Sequence, residues 1–300
     1  MRDAIEQAAE ILRRGGLVGM PTETVYGIAA IASNREAVRR TFAVKGRPVE
    51  NPLIVHLADV DQVPLVSREF PDSARLLADA FWPGPLTLVL WKQLSVLAEV
   101  TGGLDTVAVR IPNHPVALGL IRAAGEPLSA PSANSFMHLS PTQADHIEPE
   151  LASKLDCVLD GGPCEVGLES TVVDCTGEPR ILRPGGISRE AIEAVLGHPL
   201  GSSESSERRA PGQYPRHYAP KTPLRLVDEL TPGTAGLTFF AEAGPYQLRM
   251  PDSPVAYGVR LYAALHELDQ GGFPEIQVET PPNTPEWEAV WDRLKKAASS

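Results

Sequence analysis

The chain has 300 residues, of which 43% are hydrophobic, and it carries a formal net charge of −11 at pH 7. This composition excludes a disordered, collagen-like or disulfide-dense protein and leaves one large folded core or two ordinary ones. The excess of acidic residues disfavours a broad nucleic-acid-binding surface. If the ligand is anionic, a small number of cationic side chains at specific positions should bind it.

Compartment and redox state follow from the apolar runs and the cysteines. The longest apolar runs are strand-sized, and the first residues lack the basic-then-apolar layout of a signal peptide, so we expect a cytoplasmic protein. The three cysteines form no C-x-x-C pair. We therefore expect buried free thiols rather than a disulfide framework or a cysteine zinc site.

The N-terminal two thirds of the chain predict mixed strands and helices. Residues 2–14 predict an amphipathic helix stopped by two glycines, and a short strand follows at 17–20. Ser33 and Glu36 lie at capping-box spacing and predict a second helix, which runs to about Val44. Further strands are predicted at 53–57, 86–91, 106–111, 155–159, 170–175 and 180–182, with helices at 72–81, 115–124 and 188–196. This irregular order favours an α/β domain with a twisted, mixed sheet over a strict βαβ repeat.

The remainder of the chain predicts a linker and a second unit. Residues 197–222 are rich in Gly, Ser and Glu and then in Pro, which is typical of a domain boundary. Beyond it we predict strands at 224–227, 237–240 and 276–278, a helix at 257–268, and a last helix capped by Thr284. The predicted division is residues 1–197, a linker at 198–222, and a small α/β domain at 223–300.

Lys45 and Arg47 flank Gly46 at the predicted end of the second helix. Gly46 would be the left-handed stop and Pro48 would forbid continuation. Cations are favoured at helix C-termini, so Lys45 needs no ligand to explain it. Arg47 lies beyond the stop and could project over the edge of the sheet. A role for the pair in binding phosphate or carboxylate, and a structural role, both stay open.

Several predicted strand ends carry hydroxyl groups or cations. The segment "MPTETVYG" leaves the first strand, "LSAPSANS" ends another, and "GLESTVVD" begins a third. Each could be an ordinary turn whose hydroxyls satisfy the backbone. Arg110 lies in the middle of the strand "TVAVRIP", where it needs an anionic partner if both faces of the sheet are covered. Because open α/β sheets bind ligands at strand ends, the number of such segments favours a site.

Common catalytic signatures do not appear in the sequence. There is no phosphate-binding loop of the G-x-x-x-x-G-K-[ST] type, no G-x-G-x-x-G, no G-x-S-x-G and no H-E-x-x-H. His56 is interpreted by default as a partly buried histidine whose ring is hydrogen-bonded to the backbone. His217 is interpreted as a loop residue without a functional role.

Taken together, the segments resemble the threonylcarbamoyl-AMP synthase family in its long, two-domain form, whose catalytic part is a YrdC-like domain. The resemblance is carried, in order, by "PTETVYG", "KGRP", "NPLIVH", "FWPGPLT", "VAVRIPNHP", "SAPSAN", "SPT", "ESTVVD", "ILRPGG" and the linker "PGQYPRHYAP". It implies a YrdC-like twisted sheet with flanking helices and a small Rossmann-like C-terminal domain.

The resemblance also implies a reaction. L-Threonine, bicarbonate and ATP would condense to threonylcarbamoyl-AMP with release of pyrophosphate, with ATP as a substrate and Mg²⁺ as the expected metal. A separate transferase complex would then pass the threonylcarbamoyl group to the adenosine beside the anticodon of certain tRNAs. The linker would pass over the active site as a lid that orders when ATP is bound.

The resemblance assigns roles to particular positions. Lys45, Arg47 and Arg110 would be catalytic. Threonine would be contacted by Thr24, His56, Arg110, Ala130 and Ser170. ATP would be contacted by Arg47, Asn51, Thr106, Ser132, Asn134, Ser140, Arg183, His217 and Tyr218. No protein ligands for Mg²⁺ can be identified from the sequence.

Two departures and two rivals accompany the resemblance. Phe136-Met137 stands where a glycine-containing loop is expected, and the C-terminal domain is short for a nucleotide-fold-like unit. One rival is a non-catalytic factor that binds tRNA or double-stranded RNA, which the acidic balance disfavours. The other is a carbamoyltransferase of hydrogenase maturation, whose additional acylphosphatase-like and zinc-finger segments have no counterpart in this sequence.

Overall fold

The structure is a computed structural model of the chain and describes residues 1–201, 217–240 and 243–298. The α-helices are α1 Arg2–Arg13, α2 Arg35–Lys45, α3 Val63–Val66, α4 Asp72–Phe81, α5 Ala98–Thr101, α6 Pro115–Ala124, α7 Pro149–Ala152, α8 Arg189–Leu196, α9 Pro254–Asp269 and α10 Glu288–Ala298. The strands are β1 Val18–Met20, β2 Gly27–Ile31, β3 Ile54–His56, β4 Leu86–Trp91, β5 Thr106–Arg110, β6 Leu128–Ser129, β7 Cys157–Val158, β8 Thr171–Asp174, β9 Arg180–Arg183, β10 Leu224–Val227, β11 Ala235–Thr238, β12 Gln247–Arg249 and β13 Ile276–Glu279.

The larger sheet has nine strands in the order β7-β1-β2-β6-β3-β5-β4-β8-β9. The pairs β1·β7, β3·β5 and β4·β8 are parallel, and the other neighbours are antiparallel. This arrangement confirms the predicted mixed α/β sheet with flanking helices. Parallel pairs cannot be joined by tight hairpins, which is why helices and long loops separate the paired strands in the sequence.

The two faces of this sheet differ in the size of their side chains. On β5, Val107 and Val109 face the largest apolar cluster, as the alternation in the sequence predicts. Ala108 points to the opposite face, where it meets Ile54 and Val172 in a small apolar cluster. The second face therefore carries only a small apolar layer, and polar side chains lie beyond that layer.

The C-terminal part forms a separate parallel sheet in the order β10-β13-β11-β12. Helices α9 and α10 cover it and supply Tyr257, Leu261 and Leu294 to its core. The predicted small α/β unit is thus confirmed. Helix α9 begins at Pro254, earlier than predicted, because the Ser253 hydroxyl accepts a hydrogen bond from the backbone N–H of Ala256.

One local prediction is wrong, and one strand was not predicted. Asn34, not Ser33, caps α2, because its side-chain oxygen accepts a hydrogen bond from the N–H of Ala37, while the Ser33 hydroxyl donates to Glu126. The segment after "MPTETVY" enters β2, which is absent from the predicted strands, and all five residues of β2 are buried. A short strand that is buried on both faces shows no alternation, so its sequence carries no periodic signal.

The cysteines and the helices complete the fold. All three cysteines are free; Cys164 and Cys175 are buried, but Cys157 is only half-buried. Within residues 1–201, 217–240 and 243–298, no helix has both the length and the apolar composition needed to cross a membrane.

Candidate active site

A pocket of about 570 Å³ opens on the face of the nine-stranded sheet that carries Ile54 and Ala108. It collects residues from motifs that lie far apart in the sequence. The predicted site residues that line it are Thr24, Arg47, His56, Arg110, Ala130, Ser132, Ser170, Arg183, His217 and Tyr218. The predicted residues outside the lining are Lys45, Asn51, Thr106, Asn134 and Ser140.

Arg110 is fixed on the pocket wall by buried partners. Its Nη2 lies 2.7 Å from Glu23 Oε1, and both side chains are nearly inaccessible, at 4% and 3% exposure. Its Nη1 donates to Thr24 Oγ1 at 2.8 Å and its Nε donates to the Gly84 carbonyl at 3.2 Å. The anionic partner that the sequence demanded for this mid-strand arginine is therefore Glu23.

His56 lies opposite Arg110 in the parallel pair of β3 and β5. Burial, and then the nearby Arg110 guanidinium, lower the pKa of His56 to about 3. The ring is therefore neutral at physiological pH. Its buried Nδ1 has no hydrogen-bond partner among the described residues. A buried polar atom without a partner in a pocket wall is open to a hydrogen bond with a ligand.

Arg47 follows the left-handed residue Gly46, whose φ of 65° confirms the predicted helix stop. Its Nε donates to the Asn51 carbonyl at 3.2 Å, and its Nη2 donates to Asn51 Oδ1 at 2.6 Å and to the Pro52 carbonyl at 2.8 Å. These bonds hold the guanidinium against the loop before β3 while it lines the pocket. Asn51 thus serves as a buried support for Arg47.

Lys45 is committed to the loop that follows β6. Its Nζ lies 2.8 Å from the Ser132 carbonyl, 2.7 Å from the Asn134 carbonyl and 3.0 Å from Asn134 Oδ1. Burial, and then repulsion from Arg47, lower the pKa of Lys45 well below its ordinary value. The side chain therefore shapes the "SAPSAN" loop and stands behind the pocket wall.

Ser170 and Arg183 form the far wall, at the adjoining ends of β8 and β9. The Ser170 hydroxyl lies 2.7 Å from Thr87 Oγ1, and Arg183 Nη2 donates to the Ser170 carbonyl at 2.9 Å and to its hydroxyl at 3.1 Å. Gly185 lets the chain pass close by, because a Cβ there would lie 2.3 Å from the Glu169 carbonyl oxygen.

His217 and Tyr218 close the pocket from the C-terminal side of the linker; the predicted linker residues 202–216 lie outside the described residues. Both are buried, and both ring nitrogens of His217 lack a partner among the described residues. Burial lowers the pKa of His217 well below its ordinary value. The segment is anchored where the Ala219 N–H donates to the Met137 carbonyl at 2.9 Å. Met137 has a φ of 71°, which explains why a glycine would suit this position.

The remaining predicted residues lie behind the lining. Thr106 is buried and pairs with Trp91 between β5 and β4. Asn134 donates from Nδ2 to the carbonyls of Ser135 and His138, both at 2.8 Å. Ser140 donates from Oγ to Glu169 Oε1 at 2.5 Å.

Sequence reasoning missed Glu169, a carboxylate that lines the pocket. It lies in the quoted motif "ESTVVD", so its position was visible but its role was not. Arg293 Nε donates to Glu169 Oε2 at 2.7 Å, from α10 of the C-terminal sheet. No sequence signal pointed to Arg293, because it reads as one more charged residue of an amphipathic helix.

The charges of the site favour an anionic ligand. Arg47, Arg110 and Arg183 all line the pocket, whereas Glu169, the one carboxylate among the described lining residues, is paired with Arg293. Guanidinium groups bind carboxylates and phosphates through parallel hydrogen bonds. The pocket therefore suits a ligand that carries several negative charges.

Two families match this chain in sequence. The one described as "Telomere recombination", Sua5/YciO/YrdC, matches residues 10–185, and the one described as "Threonylcarbamoyl-AMP synthase, C-terminal domain" matches residues 187–299. The threonylcarbamoyl-AMP synthase of Bacillus subtilis is 42% identical over 98% of this chain and 92% of its own length. That of Schizosaccharomyces pombe is 36% identical over 99% of this chain and 89% of its own. The crystal structure of P. abyssi Sua5 with L-threonine superposes with a TM-score of 0.92 at 38% identity, covering 99% of this chain and 95% of that one.

Proposed function

The chain belongs to the threonylcarbamoyl-AMP synthase family, and on that premise we propose that it condenses L-threonine, bicarbonate and ATP to threonylcarbamoyl-AMP and pyrophosphate. The product serves the threonylcarbamoyladenosine modification of tRNA beside the anticodon. Because the adenylyl group of ATP is transferred to a carbamate oxygen, the enzyme is a nucleotidyltransferase. The observation that carries the proposal is the convergence of Arg47, Arg110 and Arg183 on one pocket.

At the threonine end we propose that Arg110 binds the amino-acid carboxylate. Glu23 and Thr24 already orient the guanidinium, so little side-chain entropy is lost when the ligand binds. The neutral ring of His56, the hydroxyl of Ser170 and the small side chain of Ala130 complete this end. The P. abyssi Sua5 structure contains L-threonine, which supports threonine as the substrate.

At the nucleotide end we propose that Arg47 and Arg183 face the phosphates, together with Ser132. His217 and Tyr218 cover the nucleotide from the linker. Asn51 and Lys45 act from behind, because their contacts hold Arg47 and the Ser132 loop in place. Thr106, Asn134 and Ser140 support the same walls.

The chemistry asks mainly for positioning and charge neutralisation. The threonine amine attacks the carbon of bicarbonate, with loss of water, or that of its dehydrated form, carbon dioxide, with loss of a proton; either route leaves a carbamate. A carbamate oxygen then forms a bond to the α-phosphorus of ATP while the bond to the bridging oxygen breaks, and pyrophosphate leaves with that electron pair. Three anionic reactants must meet, which the arginines make favourable. A covered pocket also protects the product from water.

Magnesium enters this proposal as part of the nucleotide substrate. The described residues contain no group of three or more His, Cys, Asp or Glu side chains that could hold a metal ion. Glu23 and Glu169 are each occupied by an arginine. Mg²⁺ commonly keeps several waters and binds through substrate phosphates, so MgATP needs no dedicated protein cage.

We further propose that residues 1–197 form the catalytic domain, residues 198–222 the linker and residues 223–300 the second domain. The buried positions of His217 and Tyr218 support a linker that acts as a lid. We expect the enzyme to act in the cytoplasm and to pass its product to a tRNA threonylcarbamoyl transferase complex.

The test is pyrophosphate release from MgATP by the purified protein, with and without bicarbonate and L-threonine, and with L-serine for comparison. We expect release to require both bicarbonate and threonine. Nucleotide binding without threonine-dependent release would instead support the RNA-binding factor. Release that is independent of threonine would contradict the synthase assignment.

A further inference from the structure

The Glu169 carboxylate is shared between the two sheets of the molecule. It lines the pocket, yet two of its partners come from helices of the C-terminal sheet. The Tyr262 hydroxyl, on α9, donates at 3.1 Å to Oε2, and Arg293 Nε, on α10, donates to the same oxygen at 2.7 Å. The Ser140 hydroxyl completes the set at Oε1. A wall of the catalytic pocket is thus held in place by the C-terminal domain.

Arg293 is placed behind the pocket and does not line it. Its side chain is 1% exposed. Its Nη1 donates to the Pro184 carbonyl at 3.0 Å and to Asp292 at 2.6 Å, and its guanidinium lies 4.8 Å from the centre of the Tyr218 ring. Arg293 therefore contacts the pocket wall, the turn before Gly185 and the linker at once.

This arrangement solves an electrostatic problem. A carboxylate in the wall of a pocket for a triphosphate repels its ligand, and the repulsion is strong where water is excluded. Burial by itself would raise the pKa of Glu169, but Arg293, Arg183 and the Ser140 hydroxyl together hold it at about 2. Glu169 is therefore an anion, and Arg293 offsets its charge from outside the pocket.

We propose that Arg293 is a positioning residue for nucleotide binding, supplied by the C-terminal domain, which acts by neutralising Glu169 so that the pocket wall presents net positive charge to the phosphates of ATP. The inference rests on the proposed function, since it takes ATP as the ligand. It gives the second domain an indirect part in nucleotide binding, through Glu169.

The experiment compares Arg293→Met, Glu169→Gln and the double variant in the full chain, with MgATP as the calorimetric titrant. Arg225→Met is the matched control, because Arg225 belongs to the same domain but pairs with Glu275 at the surface. We expect Arg293→Met to weaken MgATP binding roughly tenfold, as one uncompensated charge near a phosphate chain would. The double variant should recover affinity to within about threefold of the wild type, because both charges are gone.

The dependence on pH separates this role from mere packing. Without Arg293 the pKa of Glu169 rises, so the MgATP affinity of Arg293→Met should increase as the pH falls toward that raised pKa. The other titratable or charged groups around Glu169 and Arg293 are Tyr218, Tyr262, His217, Lys45, Arg183, Asp292 and Lys296. The double variant retains all of these groups, so the pH dependence of its MgATP affinity reports their contribution. It should not show the increase in affinity at lower pH that is expected for Arg293→Met.

Two results would overturn the proposal: unchanged MgATP affinity in Arg293→Met, or a folded double variant that binds MgATP as weakly as the single one. Should Arg293→Met fail to fold, the double variant is compared with the wild type, and a folded double variant that binds MgATP about tenfold more weakly overturns the proposal. Failure of the proposed function is a separate result, namely wild-type protein that binds MgATP but releases no pyrophosphate with threonine and bicarbonate.

Discussion

Replacing Arg110 tests the threonine end of the site, provided that stability and binding are separated. Arg110 and Glu23 are a buried ion pair at 2.7 Å, with 4% and 3% of their side chains exposed. Removing one partner of such a pair costs about 3–5 kcal/mol, because the other charge stays buried and unpaired. A domain has only about 5–15 kcal/mol of stability, so Arg110→Met alone brings the protein close to unfolding.

The double variant Glu23→Gln/Arg110→Met removes both charges. We expect its stability to lie within roughly 1–2 kcal/mol of the wild type, as found when buried pairs are replaced together. Its threonine binding should still fall by roughly 30-fold or more, since an arginine–carboxylate contact contributes on the order of 2–3 kcal/mol. Stability is read from urea unfolding by tryptophan fluorescence, and binding from the threonine dependence of pyrophosphate release.

Two outcomes would refute this reasoning. A double variant as unstable as Arg110→Met would show that the ion pair is not what the single substitution breaks. A double variant with the wild-type KM for threonine would show that Arg110 does not contact the amino acid. The single variant Glu23→Gln is the control for binding: it should lose stability as Arg110→Met does, because it also breaks the pair, but its folded fraction keeps Arg110 and should retain a KM for threonine near that of the wild type.

Three further predictions concern the support of the pocket. Gly185→Ala should destabilise the protein by roughly 1–3 kcal/mol in urea unfolding, because its Cβ would lie 2.3 Å from the Glu169 carbonyl oxygen. Gly177→Ala is the control, because a Cβ at Gly177 would have no atom within 4 Å, and its effect on stability should be near zero. Lys45→Met should cost about 1–3 kcal/mol for each carbonyl left unsatisfied, and full stability would contradict its buried hydrogen bonds. The pKa of His56 is lowered to about 3 in the folded protein, so between that pH and about 6.5 only the ring in the unfolded chain binds a proton. The free energy of unfolding should therefore decrease as the pH falls through this range. His56→Gln should reduce this pH dependence, as measured by urea unfolding.

The linker and the C-terminal domain explain why the active site depends on more than the nine-stranded sheet. The backbone N–H of His217 donates to the Lys296 carbonyl at 3.3 Å, and the ring of Tyr218 lies under Arg293. The linker end is therefore held between the catalytic sheet and α10. Because these contacts join segments far apart in the chain, the pocket is complete only when both domains are docked.

The sequence by itself determined the elements whose signals are local. The glycine stop at Gly46 and the alternation that turns Val107 and Val109 to the same apolar cluster are both found as predicted. Each depends on residues within a turn of helix or a few positions of strand, where side-chain periodicity fixes the environment. The ordered motifs likewise indicated the family and the segments that line the pocket.

Only the tertiary structure decided what the charged groups do. Lys45 and Arg47 are two residues apart, yet the Lys45 side chain is hydrogen-bonded to the loop after β6, whereas Arg47 lines the pocket. Glu169 meets Arg293 across 124 positions of the chain. Such pairings depend on how distant elements pack, and a buried charge takes whichever partner the packing brings within reach. Spacing along the sequence does not encode that partner.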